Sequence, residues 1–180
     1  MNIDANSNGY AGRIAVCPGS YDPITNGHLD IIRRGARVFD KVVVAVVNAS
    51  VRKSPPLFDA DERISMIEQS IGDLTNVEVQ KFDVLVVDFA REVGATAILK
   101  GLRAISDFEY EFEMNQLNRT MAPELESVYM MSSPMHSFIS SSGIKEMVRF
   151  GGNVSEMVPP HVAVRLAEAL NSQASQHNQP

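Results

Sequence analysis

From Arg13 to about Leu170 the apolar positions fall into short runs that alternate with longer stripes. RIAVC (13–17) and KVVVAVV (41–47) are nearly continuous apolar runs, the pattern of strands covered on both faces. VEVQKF (77–82), TAILK (96–100) and SVYMM (127–131) read as further strands. Between the runs the period lengthens to that of a helix. Leu29, Ile32, Ala36 and Phe39 form one stripe of a helix from about Asn26 to Phe39. Asp59 with Glu62 is a capping-box pattern opening a helix to about Gly72, and Ser106 with Glu109 is a second, opening a long helix to about Met121. A helix from about Leu85 ends near Gly94, SSSGIKEMVRF starts another, and PPHVAVRLAEAL closes the series. Strands that alternate with helices predict right-handed crossovers. The expected fold is α/β: a Rossmann-like doubly wound sheet of five parallel strands with helices on both faces. No linker divides the interior, so 13–171 is expected to be one domain, with 1–12 a flexible N-terminal extension and 172–180 a flexible C-terminal tail.

Composition narrows the function classes. The chain has 180 residues, 44% of them apolar, enough for a full core. A net charge of -6 counts against a nucleic-acid-coating surface but not against a small basic pocket. Cys17 is the single cysteine, which excludes an internal disulfide and a cysteine zinc cluster. At the end of a buried strand it reads as inert packing. The longest apolar run, Val42 to Val47, is too short for a bilayer, and MNIDANSNGYAG lacks the basic start and apolar core of a secretory signal. A cytoplasmic protein is expected. Met66, Met114, Met130 and Met131 read as core residues, and His161 as helix-start punctuation.

In open α/β sheets ligands bind beyond the carboxyl ends of the strands. The segments there are CPGSYDPITNGH, NASVRKSPPLF, FDVL, KGLRAISDFE and SSPMHSFISSS. They bring His28, Arg52, Lys53, Lys100, Arg103 and several serines, a set suited to phosphate oxygens. No thiol nucleophile or metal-ligand cluster is evident, nor a dinucleotide or Walker-type glycine motif. Ser50 and Lys53 match an S-x-x-K motif without its companion motifs. His28 follows Gly27 at a helix start, where a capping histidine and a phosphate ligand are equally good readings of the motif alone. Asp107, Glu109, Glu111 and Glu113 alternate every second residue. They cannot share one helix face, so at least one faces something other than bulk water.

The blocks "PGSYDPITNGHLDII", "KGLRAISDFEYEFEMNQLNR", "PELESV" and "SFISSSGIKE" together resemble the pantetheine-phosphate adenylyltransferases. This family belongs to the nucleotidyltransferase superfamily, whose T/S-x-x-x-x-x-x-G-H signature is matched from Ser20 through Gly27 and His28. The resemblance runs from Arg13 to about Leu170 and implies a single nucleotidyltransferase domain. It also implies transfer of an adenylyl group from ATP, with Mg2+, to 4′-phosphopantetheine, giving dephospho-coenzyme A and pyrophosphate. A homohexamer, feedback by coenzyme A and no nucleic-acid or membrane partner are implied with it.

By that resemblance His28 hydrogen-bonds the α-phosphate and Ser20 contacts both substrates, with Lys53 and Arg103 completing the catalytic set. Tyr21, Gly101, Leu102, Glu111, His136, Ser137, Phe138, Ile139, Ser140, Ser141 and Ser142 join them around ATP. Lys53 and Lys100 hold the acceptor phosphate, and Leu85 and Val86 meet its pantetheine arm, although by residue type alone that pair reads as core. The loop from Asn48 to Phe58 is somewhat longer than in relatives, leaving either Arg52 or Lys53 to complete the site. Lys100 stands where many relatives carry arginine, keeping the charge but losing the fork. His136 stands where relatives often carry an aromatic residue. A different acceptor on the same chemistry, or a non-catalytic nucleotide sensor, are the competing readings. The intact serine, Gly-His and cationic positions weigh against the sensor.

Overall fold

The computed structural model describes residues 12–48 and 55–177. In an inner strand Val42, Val44 and Val46 turn to one face and Val43 and Ala45 to the other, all with no exposed surface. That is the two-fold alternation of a strand, with both faces covered. The strands are β1 (Ile14–Gly19), β2 (Lys41–Val47), β3 (Val77–Phe82), β4 (Ala97–Leu102) and β5 (Glu126–Met131). The helices are α1 (Asn26–Val38), α2 (Ala60–Ser70), α3 (Val86–Glu92), α4 (Ile105–Met121), α5 (Ser141–Arg149) and α6 (Pro160–His177). The sheet order is β3-β2-β1-β4-β5 and every neighbouring pair is parallel. The expected five-stranded doubly wound sheet is therefore present.

The strand order reverses after β3, so right-handed crossovers place successive helices on opposite faces. Leu29, Ile31 and Ile32 of α1 pack on one face with Met66 and Ile67 of α2, Ile144 of α5 and Leu166 of α6. Val87, Phe89 and Ala90 of α3 cover the other, joined by Ala122 and Leu125 after α4.

The reversal falls between β1 and β4, and there the sheet parts. β1 pairs with β2 as far as Gly19, and β4 with β5 as far as Leu102. Yet β1 and β4 pair at Ala15–Ala97 and Val16–Ile98 alone. Beyond Val16 and Ile98 the two strands diverge, and their carboxyl ends flank a crevice. This is the switch-point position at which such sheets take ligands.

Three expectations are corrected. β4 runs through Gly101 to Leu102, and α4 opens after Ala104 with no side-chain cap. Ser106 therefore lies inside the first turn, and no Ser106–Glu109 capping box starts the helix. Asp107 instead turns back to accept the Arg103 backbone N–H at 3.2 Å. Leu85 is no core residue: it is the N-cap of α3 and 55% exposed. Met131 is 65% exposed at the end of the edge strand β5. The last helix, α6, runs to His177. The Asp59–Glu62 capping box forms as read, with both of its hydrogen bonds.

Candidate active site

The crevice holds an open cavity of about 360 Å³ lined from β1, the β1–α1 turn, α1, β4, α4 and the start of α5. Its first wall follows from local sequence. Thr25 is extended and caps α1: its hydroxyl accepts the His28 backbone N–H at 3.2 Å. In return the Thr25 backbone N–H donates to Nδ1 of His28 at 3.1 Å. This is a capping box with histidine in the place usually taken by glutamate or glutamine. It also assigns the tautomer. Nδ1 accepts, so the proton sits on Nε2, and the ring faces the cavity with Nε2–H to give. Burial, with the nearby Arg103 charge added, lowers the His28 pKa to about 4. The imidazole is neutral at neutral pH. The ring caps the helix and lines the cavity as well.

Beneath His28 lies Tyr21, 3% exposed and at a positive φ of 48°. Its hydroxyl donates to the Cys17 carbonyl at 2.8 Å, and its ring meets the His28 ring edge-on at 5.0 Å. A Cβ on Gly19 would sit 2.9 Å from the Tyr21 ring, so glycine is what lets the ring tuck under the turn. Tyr21, expected as an ATP contact, lines the cavity with its hydroxyl held by Cys17 and its ring against His28. Cys17 is buried and its thiol pKa is raised by burial, in keeping with inert packing.

Cations form the second wall. Lys100 pairs with Glu111 at 3.0 Å, and Glu111 is 15% exposed in its side chain. Arg103 gives Nε and Nη2 to the two Asp107 oxygens at 3.0 and 3.1 Å, and Nη1 to the Ile139 carbonyl at 3.0 Å. Asp107 and Glu111 lie one helical turn apart, while Glu109 and Glu113 are exposed. Asp107 and Glu111 thus meet the expectation that at least one of the four carboxylates faces something other than bulk water.

The third wall is the N-terminus of α5. Ser140 caps it by accepting the Gly143 N–H at 3.1 Å, and Ser141 Oγ donates to the Pro23 carbonyl at 2.8 Å. The Ser141 and Ser142 amides have no acceptor among the described residues and lie beside the cavity. Free amides and the helix dipole favour an anion there.

Two buried charges brace these walls. Asp22, 5% exposed, accepts the Leu57 and Phe58 N–H groups at 3.0 Å each and pairs with Lys145 of α5. Arg63, 2% exposed, donates to four carbonyls: Ser20 at 2.6 Å, Val47 at 3.0 Å, Phe58 at 3.1 Å and Asp59 at 3.2 Å.

Of the expected site residues, Ser20, Tyr21, His28, Lys100, Gly101, Arg103, Glu111, Ile139, Ser140, Ser141 and Ser142 line the cavity. Leu102 does not; it is 8% exposed and packs inward. His136, Ser137 and Phe138 precede α5 outside the cavity wall. Phe138 is 70% exposed, Ser137 bonds the Pro134 carbonyl, and Nδ1 of His136 is buried without a partner among the described residues. Leu85 and Val86, at the start of α3, are also outside the lining. Lys53 and Arg52 lie outside the described residues.

Thr25, Asp107 and Tyr110 line the cavity without having been expected there. Asp22, Lys145 and Arg63 were missed as braces. Thr25 carried a signal, being an N-cap residue directly before the helix. Asp107 is four residues after Arg103, the spacing of a helical ion pair, but the boundary read at Ser106 hid it.

Comparison with known proteins fits this geometry. The cytidylyltransferase-like family model matches residues 16–147. The chain is 58% identical to the phosphopantetheine adenylyltransferase of Rubrobacter xylanophilus, over 81% of this chain and 88% of that one. It is 49% identical to the enzyme of that name from Caldanaerobacter subterraneus, over 87% and 96%. Among solved structures, a Vibrio parahaemolyticus protein provisionally described as a nicotinate-nucleotide adenylyltransferase superposes with a TM-score of 0.62 at 18% identity, over 86% of this chain and 97% of that one. A bifunctional NMN adenylyltransferase/ADP ribose pyrophosphatase from Francisella tularensis gives 0.66 at 14%, over 93% of this chain and 53% of that one. At such identities the two structures speak for the fold. Sequence identity, carried over nearly the whole chain, places it further: the chain belongs to the phosphopantetheine adenylyltransferases, within the cytidylyltransferase-like family.

Proposed function

We propose that the cavity transfers the adenylyl group of ATP to 4′-phosphopantetheine, reversibly, giving dephospho-coenzyme A and pyrophosphate. The observation that carries the reading is the neutral His28 ring. Its Nε2–H faces the same cavity as Lys100, Arg103 and the α5 amides. The acceptor phosphate is largely ionised at neutral pH, its second pKa being about 6, so no general base is needed. What the reaction demands is alignment of two anions and stabilisation of charge at the α-phosphate. His28 hydrogen-bonds a non-bridging α-oxygen, Arg103 and the α5 amides hold the leaving pyrophosphate, and Ser20 lies between the substrates. Lys100, with Lys53 or Arg52, holds the attacking phosphate.

Mg2+ accompanying ATP would shield triphosphate charge. Among the described residues no group of three His, Cys, Asp or Glu side chains is placed to hold an ion. Residues 13–171 act as the single nucleotidyltransferase domain, at work in the cytoplasm. No helix among the described residues is long and apolar enough to cross a membrane.

A homohexamer is the proposed assembly, and α4 supports one. It buries none of its own described side chains fully, and Phe108, Tyr110, Phe112 and Leu117 are each at least half exposed. Leu85, Val86 and the 136–138 turn are proposed to meet the pantetheine arm and the nucleotide at the cavity's rim. Coenzyme A contains the product's skeleton, so it is proposed to compete for the same cavity.

The test is an acceptor panel. Purified protein with ATP and Mg2+ is offered 4′-phosphopantetheine, nicotinate mononucleotide and a simple phosphorylated alcohol, and pyrophosphate is measured. Release with phosphopantetheine is expected. Release with the pyridine nucleotide alone would overturn the acceptor, and ATP binding without turnover on any acceptor would favour a sensor.

A further inference from the structure

Arg103 is held at a fixed angle, and its holder belongs to no expected set of site residues. A guanidinium has five N–H donors in a rigid plane. In Arg103 the Nε and Nη2 edge is forked onto the Asp107 carboxylate, and one Nη1 donor goes to the Ile139 carbonyl. One N–H remains on each of Nη1 and Nη2 at the wall of the cavity. Asp107 also accepts the Arg103 backbone N–H, so a single carboxylate fixes both ends of the arginine. One turn further along α4, Glu111 treats Lys100 in the same manner. Ile139 leads directly into the Ser140 cap, so the same arginine is tied to the α5 amides.

We propose that Asp107 is a positioning residue: it holds Arg103 edge-on so that the two unspent N–H groups meet a nucleotide phosphate without reorganisation. A free arginine at this place would lose side-chain freedom on binding, and a forked one has already lost it. Asp107 acts through Arg103 and does not itself touch the nucleotide, whose charge it would repel. The inference rests on the adenylyltransferase reading, in that the phosphate belongs to ATP.

A double-mutant cycle on the full chain tests it. MgATP binding is measured calorimetrically, and turnover by pyrophosphate release, for wild type, Asp107→Ala, Arg103→Ala and the double variant. Asp107→Ala is expected to weaken MgATP binding roughly ten- to a hundredfold, the span for losing a charged hydrogen-bond partner. The KM for phosphopantetheine should stay within about twofold, since that substrate's phosphate is assigned to other cations. In the Arg103→Ala background the same change should cost less than about twofold, because its target is gone. Equal losses in both backgrounds would overturn the proposal and leave Asp107 a merely structural residue. Asp107→Asn, which keeps one acceptor oxygen, should fall between; it serves if the alanine variant unfolds. Wild type that binds MgATP but ignores phosphopantetheine would sink the acceptor reading alone, with the binding cycle still decisive. Wild type with no MgATP affinity would sink both.

Discussion

The Thr25 backbone N–H and Nδ1 of His28, 3.1 Å apart, join helix capping to the chemistry of the cavity. The bond is local, between residues three apart, yet it decides which ring nitrogen is protonated and where the ring points. An imidazole fixed this way presents a donor at every pH at which Nδ1 stays unprotonated.

Removing the ring tests that role. His28→Ala should lower kcat by roughly 10²–10³, as loss of one transition-state hydrogen bond does elsewhere, while ATP affinity changes little. Steady-state kinetics beside calorimetric ATP binding would separate the two. Near-normal turnover would take His28 out of the mechanism.

The lowered His28 pKa predicts a pH effect on stability. The ordinary value is 6.5 and the native value about 4. Between these the unfolded chain binds the proton and the native chain does not, so stability through this group rises with pH across that window and is level above it. Urea midpoints measured from about pH 4 to about pH 7.5 should show that rise. In His28→Gln, which has no titrating ring, the slope should be shallower. Matching slopes would contradict the assignment.

Gly101 predicts a packing cost. A Cβ there would lie 2.8 Å from Cγ1 and 3.2 Å from Cδ1 of Ile31. Gly101→Ala must push α1 away from β4 at the point where the strands part, at a cost of about 1–3 kcal/mol. Chemical denaturation would measure it. A paired Ile31→Val change should recover part of the loss.

Much of this arrangement was legible because the signals were periodic and local. The alternation in KVVVAVV and the Asp59–Glu62 box needed no partner from elsewhere, and the Ser20-to-His28 signature sat where the sheet switches direction. Arg63 and Asp22 were not legible. Their distant partners include backbone groups 16 to 43 residues away, and backbone groups leave no mark in a sequence. Asp107 was hidden by a misplaced boundary: once β4 ran on to Leu102, the helix began early enough to bring residue 107 back beside 103. Met131 was misread because the apolar run in β5 gives no sign of which end is left uncovered.

The aromatic side of α4 gives a prediction about assembly. Phe108 and Phe112 stack at 5.9 Å between ring centroids while 53% and 54% exposed. Phe112→Glu should reduce the molar mass seen by light scattering, because a carboxylate resists desolvation in an apolar contact. An unchanged molar mass would place any interface on another surface.

Arg63 predicts that charge alone will not suffice. Arg63→Lys keeps the cation but cannot reach four carbonyls with a planar fork. Leaving buried acceptors bare costs about 1–3 kcal/mol each where water cannot enter. Thermal unfolding should show the loss, and Arg63→Met should show more.

The same side chain sets what this fold can tolerate by insertion and deletion. Arg63 clasps the carbonyls of Val47 and Phe58 together, so both stems of the intervening stretch are anchored whatever its length. Doubling such a stretch costs only about 0.6 kcal/mol of closure entropy. Residues can therefore be gained or lost between the stems without shifting Ser20 or the strand ends. A lineage can vary the length of that stretch while the walls of the cavity stay in place.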